Sequence, residues 1–554
     1  MIAKRLNLII VLVLLSVTLF GCAPQASPQQ TSAPEQVEST SAPVATSAPE
    51  QVEAPTTAPP TSAPAQAEEQ KCVRIGAVES SGEKMSMDPS ILWTSGADGP
   101  YIYGVYERLV DVTSNFEVVP ELAEKWESNE DGSEWTFHLR EGIKFHDGSD
   151  FDAADVVYSY QRILDPATGS SGLAVLDPVL SKDGIVAVDP LTVVFRTKAP
   201  TANLPLILST KETGIVPEGA KSEDLRLQGV GTGPFMQEVF EPGSAYTKLV
   251  ANPNYWQLGL PAAPCLEIRT VQEATTAAAA LQGGDIDLVL QIDNALIPTL
   301  KTDPSMQLLE TAAGTSMTLS MWSDTPPFDD VRVRQALKKL VDRQEIVDTV
   351  LLGFGEAGGD NPIPLTDPLS YMYGQDAPMQ DIEGAKALLA EAGYTEDNPL
   401  TIDLYSGEAV PGYTRLAQVF AEQAAKAGVI VNIIQAPADS YWDDTWLKKP
   451  FVNSGWTRRP VIVAEAMAYS CKSEYPETHW CRPEFDELLS KASSELDPEA
   501  RTEALHAMQK MITEDGGAII PVFMHIVAAM RSECSGYTPH VQNSNFDWSQ
   551  IVCK

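Results

Sequence analysis

Histidine is scarce in this chain, with six among 554 residues. No H-E-x-x-H and no G-x-S-x-G occurs, so neither a zinc protease nor a nucleophile-elbow hydrolase shows its signature. Beyond residue 20 no apolar run reaches the roughly 20 residues that a bilayer span needs. Positive charge is also in short supply. Lys and Arg number 38 against 76 Asp and Glu, a formal net charge of −38. An acidic surface repels phosphate backbones, which argues against nucleic acid as a partner. Carboxylates are so common that a pair of them carries no catalytic information. A hydrolase with a dispersed triad stays open on these grounds alone.

The first residues say where the rest works. Lys4 and Arg5 precede a short apolar run over 6–20, and Leu19-Phe20-Gly21-Cys22 closes it. A charged start, an apolar middle and small residues at the cut describe a secretory signal, here expected over 1–21. The Leu-x-Gly-Cys ending resembles a bacterial lipobox, which implies cleavage before Cys22 and lipid attachment to it. An ordinary secretory signal is the alternative. The expected location is outside the cell membrane or in the periplasm, anchored by lipid. Residues 22–70 then form an expected tether. From 23 to 70 there are nine prolines, no Lys or Arg and no aromatic residue. Such a segment buries too little apolar surface to offset its ordering entropy. The octet at 31–38 recurs at 46–53, a low-complexity duplication.

Setting Cys22 aside leaves six cysteines: Cys72, Cys265, Cys471, Cys481, Cys534 and Cys553. An even number in an exported chain favours disulfides, and six cysteines allow 15 pairings. The expectation is Cys471–Cys481, Cys534–Cys553 and Cys72–Cys265; free buried thiols are the alternative. Cys471, His479 and Cys481 fit no common zinc spacing. No metal and no cofactor is expected.

Along the body, 331–352 reads as one helix with Val333, Ala336, Leu337, Leu340 and Val341 on one face. Asp381 caps a helix that Gly393 stops. A strand over 400–405, a helix over 413–427 and a strand over 429–434 form a strand–helix–strand unit, so an α/β sheet is expected. Asp497-Pro498 opens a helix, and a buried strand starts at Ala518. Gly353-Phe-Gly355-Glu-Ala-Gly358 matches the dinucleotide fingerprint in letters, but it follows a helix instead of a strand.

Four segments resemble, in order, the family 5 solute-binding proteins of ABC importers. The first is Leu139-Arg-Glu-Gly-Ile-Lys-Phe145-His146-Asp147-Gly148 with Ala154-Asp155-Val-Val-Tyr-Ser159. The second is Gly231-Thr-Gly-Pro-Phe235 with Asn252-Pro-Asn-Tyr255-Trp256. The third is Val331-Arg-Val-Arg334-Gln-Ala-Leu337 with Asp342-Arg343. The fourth is Ala385-Lys-Ala-Leu-Leu389-Ala-Glu391-Ala-Gly393-Tyr394. The resemblance implies a two-lobed α/β fold of the large periplasmic-binding type (type II), with an extra subdomain on the first lobe and hinge segments between lobes. Lobe I is expected over 71–110, 231–322 and 515–554, its subdomain over 111–230, and lobe II over 323–514. The implied function is capture of a small solute, short peptides first, for delivery to a separate permease and its ATPase, by a monomer. Oligosaccharides, sugar phosphates and a chelated metal are the alternative solutes. A tethered hydrolase is the alternative from another class. Trp93, Thr94 and Ser95 stand where the family's first lobe reaches its cleft, and Trp456 where the second does. The peptide-binding members carry an Asp shortly after that Trp; here Thr457-Arg458-Arg459-Pro460 follows. A guanidinium fork suits a carboxylate or phosphate, so Arg458 and Arg459 are expected to meet an anionic group. Trp456 and Trp480 are expected to stack on the solute.

Overall fold

A computed structural model of the chain describes residues 70–78, 86–91, 98–541 and 547–554. Cys22, the 22–70 segment, Trp93, Thr94 and Ser95 lie outside the described residues.

The longest strands are Met306–Met321 and Ala518–Arg531. The second is buried on both faces over most of its length. It therefore reads as one apolar run rather than an alternating one. The two pair antiparallel from Met306 opposite Arg531 to Ser320 opposite Ala518. Near one end Leu288–Val289 joins, with Leu288 opposite Met530. From there the sheet continues through Val73–Val78, Cys265–Val271, Tyr246–Ala251 and Phe235–Val239. At the other end Phe451–Thr457 pairs with Met306–Met321, followed by Thr401–Ser406 and Ile430–Gln435. Gly355–Ala357 adds an eleventh strand against Ala518–Arg531. The two long strands thus carry one sheet through both halves of the body. Their register shifts between Thr311 and Thr315. A bulge there adds local twist and breaks the ladder.

Each half has its own apolar core. In the first, Val73, Ile75, Phe235, Leu249, Ile268 and Trp548 pack together. A separate four-stranded antiparallel sheet runs Ala123–Ser128, Glu134–Leu139, Thr192–Thr197, Leu180–Asp189. Its core places Phe195 between Phe137 and Tyr160, with ring centroids 5.4 and 5.1 Å away. In the second half, Met317, Leu319, Leu404 and Phe451 meet the helices Val331–Lys339 and Tyr413–Ala425 on one face of the sheet. Ile520 and Phe523 meet the helices Val461–Tyr469 and Pro498–Asp515 on the other.

The motif segments do structural work. Gly233 N–H donates to Val105 O at 3.0 Å, and a Cβ on Gly231 would stand 2.1 Å from the same oxygen. His146 bridges this turn: Gly231 N–H donates to Nδ1 at 3.3 Å, and Nε2 is 2.9 Å from Gly233 O. Tyr255 Oη and Trp256 Nε1 both donate to the buried Glu107 carboxylate, at 3.0 and 2.8 Å.

Local signals held well. Asp381 and Asp497 each accept a helix N-terminal N–H, from Gly384 and Ala500, both at 2.8 Å. Gly393 and Gly428 have φ of 92° and 80° and end their helices. The expected 331–352 helix is two: Val331–Lys339 and Arg343–Thr349. Asp342 breaks it, because its side chain accepts Glu345 N–H and caps a second helix. The Gly353–Gly358 segment runs into the strand Gly355–Ala357 and opens no helix, so it is not a nucleotide loop. All three expected disulfides are present: Cys72–Cys265, Cys471–Cys481 and Cys534–Cys553. The first joins two adjacent strands, where Val73 faces Leu266.

Candidate functional site

Residues facing each other in antiparallel strands share a face of the sheet. Ser316 lies opposite both Trp456 and Phe523, and Phe523 lies opposite Glu356. Trp456, Ser316, Phe523 and Glu356 therefore form a row across four adjacent strands. The row sits just past the register shift, where the sheet passes from one half to the other. Beside it is a narrow cavity of about 20 Å³, lined by Ser316, Trp456, Arg458, Arg459, Tyr469 and Phe523.

Trp456 is held from behind. Its Nε1 donates to Glu477 Oε1 at 3.0 Å, and Ser320 Oγ donates to the same oxygen at 3.0 Å. Glu477 Oε2 accepts from Trp446 Nε1 at 3.0 Å and Ser454 Oγ at 2.5 Å. The Glu477 carboxylate is fully buried, and four donors satisfy it. Both indole N–H groups are used on it, so Trp456 and Trp446 have only carbon edges and ring faces left to offer. Trp446 stacks on Tyr475 at 5.6 Å, and Trp456 meets both rings edge-on at 6.1 and 5.8 Å.

The two arginines differ. Arg458 is buried and paired with the buried Asp367 carboxylate, and its guanidinium lies 5.8 Å from the Phe116 ring. Its fork therefore already has an acidic partner within its own chain. Arg459 has no carboxylate partner among the described residues, and its buried Nε has no acceptor. Burial lowers its pKa, with Tyr475 opposing that shift. Glu356 accepts from Thr366 Oγ1 at 3.0 Å, and burial raises its pKa.

Trp480 is placed elsewhere. It is buried in the core between Tyr469 and Phe485, at 6.4 and 5.3 Å, with Nε1 donating to Asp515 Oδ2 at 2.8 Å. Its indole N–H and much of its ring surface are engaged within the core. Below the row, Glu465 is fully buried, and burial raises its pKa well above the usual carboxylate range, with Gln509 as its polar neighbour. His479 stacks on Trp322 at 4.1 Å and pairs with Asp324. Among the described residues the group with metal-ligand geometry is Asp287, Cys534 and Cys553, and both of its sulfurs are in a disulfide. Phe116 and Asp367 carry no local sequence signal for a site. Glu477 carries a faint one, an acid inside a ten-residue disulfide loop.

The description "bacterial extracellular solute-binding proteins, family 5" (middle region) matches residues 117–475. The chain belongs to this family. Heme-binding protein A of Haemophilus influenzae is 32% identical over 464 residues, covering 76% of this chain and 81% of that one. The dipeptide-binding protein of Escherichia coli K12 is 30% identical over 502 residues, covering 83% and 91%. Among solved structures, HbpA2 from Haemophilus parasuis matches with a TM-score of 0.77 at 25% identity, over 87% of this chain and 99% of that one. The unliganded open form of the murein tripeptide-binding protein MppA matches in fold, with a TM-score of 0.75 at 21% identity, covering 88% and 98%. This family 5 protein has the two-lobed periplasmic-binding fold. It is the small-solute-binding component of an ABC importer, not an enzyme. No helix among the described residues is long and apolar enough to cross a membrane.

Proposed function

We propose that the solute is a short peptide, held beside the row Trp456–Ser316–Phe523–Glu356. One observation carries this reading: Arg459 is a half-buried guanidinium with no carboxylate partner among the described residues, next to Trp456. A carboxylate from a ligand supplies the missing charge, and the aromatic wall takes an apolar side chain. Relatives described as dipeptide- and di/tripeptide-binding support it. Closure occurs about the two long strands, and the solute favours it only through greater affinity for the closed form. Lobe I is 71–110, 231–322 and 515–554 with its subdomain at 111–230, and lobe II is 323–514. Trp93, Thr94 and Ser95 are further solute-binding residues in this reading. The body is lipidated at Cys22 after removal of 1–21, tethered by 22–70, and delivers solute to a membrane permease driven by a separate ATPase.

The test is a thermal-shift screen of the full-length protein against di- to pentapeptides, hemin, oligosaccharides, sugar phosphates and nickel. A ligand at 100 times its Kd stabilises by about 2.7 kcal/mol, so peptides are expected to raise Tm. Arg459→Ala is expected to weaken the best peptide about tenfold or more. A shift with hemin or nickel alone refutes the peptide reading. Unchanged affinity in Arg459→Ala removes the arginine.

A further inference from the structure

A second, larger cavity of about 560 Å³ lies apart from the row just described. One wall comes from the segment around the four-stranded sheet: Phe116, Trp126, Trp135 and Leu206. The other comes from Val461, Arg501 and Leu505 on the helices Val461–Tyr469 and Pro498–Asp515. The Arg458–Asp367 ion pair partitions the two cavities, because Arg458 lines the small one and Asp367 the large one.

The walls are tied by direct hydrogen bonds. The helix Pro483–Ser494 ends on Ser493 O, which accepts Ala202 N–H at 2.9 Å, Thr201 Oγ1 at 3.3 Å and Asn203 Nδ2 at 3.4 Å. Trp135 Nε1 holds the same loop through Thr201 O at 3.1 Å and Gly132 O at 3.2 Å. The polar edge of that indole is thereby used up. The volume lies within the range of pockets that enclose small organic ligands, which run from about 300 to 1,000 Å³ and favour junctions between structural units.

The charges in the cavity are unequal. Asp367 is neutralised by Arg458, and Glu117 is exposed to solvent on the hairpin turn. Arg501 is half-buried and has no carboxylate partner among the described residues. An apolar chamber with two indoles and one unpaired guanidinium fits a molecule with an apolar body and one anionic head.

We propose that this chamber is a second ligand site for an amphiphilic carboxylate, with its apolar body between Trp126, Trp135 and Leu505 and its head group on Arg501. Both walls are needed to form it. Its ligand therefore binds the tied arrangement and biases the protein toward it.

The test is calorimetric titration of the full-length protein with decanoate, using decanol as the uncharged counterpart. Decanoate is expected to bind more tightly than decanol. Arg501→Gln is expected to weaken decanoate about tenfold or more and leave decanol unchanged. Leu206→Trp narrows the apolar part of the chamber and is expected to weaken both. Glu117→Gln, which removes a like charge at the mouth, is expected to leave decanoate binding equal or slightly stronger. Unfolding curves of each variant at pH 7 report whether it is folded. A folded Arg501→Gln with wild-type decanoate affinity overturns the assignment, and so does a chain that binds neither probe. Loss of decanoate binding in Trp456→Ala also overturns it, because the probe would then occupy the peptide cleft.

Discussion

Acidification from pH 7 to pH 5 is expected to cost about 1.8 kcal/mol of folding stability through His146 alone. The imidazole is neutral in the fold, because Nδ1 accepts Gly231 N–H and Nε2 therefore donates to Gly233 O. Burial lowers its pKa to about 4 from the ordinary 6.5, outweighing the Gly233 carbonyl and the nearby Asp147 charge. Between those two values the unfolded chain holds a proton that the native one does not. Stability therefore rises with pH across that window and is lost as pH falls, by about 1.4 kcal/mol per pH unit. The full contribution is present above pH 6.5 and gone below pH 4. Urea unfolding at pH 7, 6 and 5 measures it, with His146→Gln as the reference. That variant is less stable at pH 7, having lost a fitted bridge, but it lacks this part of the acid slope. Parallel pH dependences for the two proteins refute the reasoning. So does a His146 ring-proton titration with a midpoint of 6 or above.

Glu465 gives the opposite sign. Its raised pKa means the native state keeps a proton that the unfolded state loses above about pH 4.3. Glu465→Gln is expected to be more stable than wild type at pH 8, with the gap widening from pH 5 upward by up to about 1.4 kcal/mol per pH unit; a gap independent of pH contradicts this. Arg458→Met strands Asp367 in the interior and is expected to cost about 3–5 kcal/mol, whereas adding Asp367→Leu recovers most of it. Additive losses in that cycle, read from chemical unfolding, count against a buried pair. Replacing Cys72 and Cys265 by serine is expected to cost about 2–5 kcal/mol. Denatured wild-type protein without reductant is expected to show no reactive thiol from the six body cysteines, and about six reactive thiols remove the pairings.

Short-range grammar made much of the second half legible. Asp381 and Gly393 mark the two ends of one helix, and Tyr413 to Gly428 reads as a helix from its apolar spacing alone. The break at Asp342 escaped, because an acid inside a periodic pattern reads equally as a solvated position. What decides it is a tertiary partner: Gln423 Oε1 accepts Asp342 N–H at 3.0 Å. The strand from Ala518 extends to Arg531 because it is buried on both faces, which removes the alternation that marks a strand's length. At the site, Trp456 was legible through its motif neighbourhood. Phe116 and Asp367 were not, since Asp367 pairs with Arg458 across 91 residues of sequence and Phe116 comes from another sheet's hairpin. For Trp480 the sequence shows an aromatic residue but not its burial between Tyr469 and Phe485, which is set by tertiary packing.

Ser320 and Ala518 face each other across the two long strands. Everything between them is therefore a topological insertion that departs from and returns to neighbouring positions, adding four strands of its own to the same sheet. Facing residues in such a pair are about 5 Å apart, a gap that a two-residue hairpin turn closes. The half of the molecule that carries Trp456, Arg459 and Glu477 is thus a cassette with two junctions in one strand pair. If the proposed site holds, exchanging it between relatives is expected to alter what the protein holds while the Cys72–Cys265 half, with its own core and its own staple, keeps its chain path.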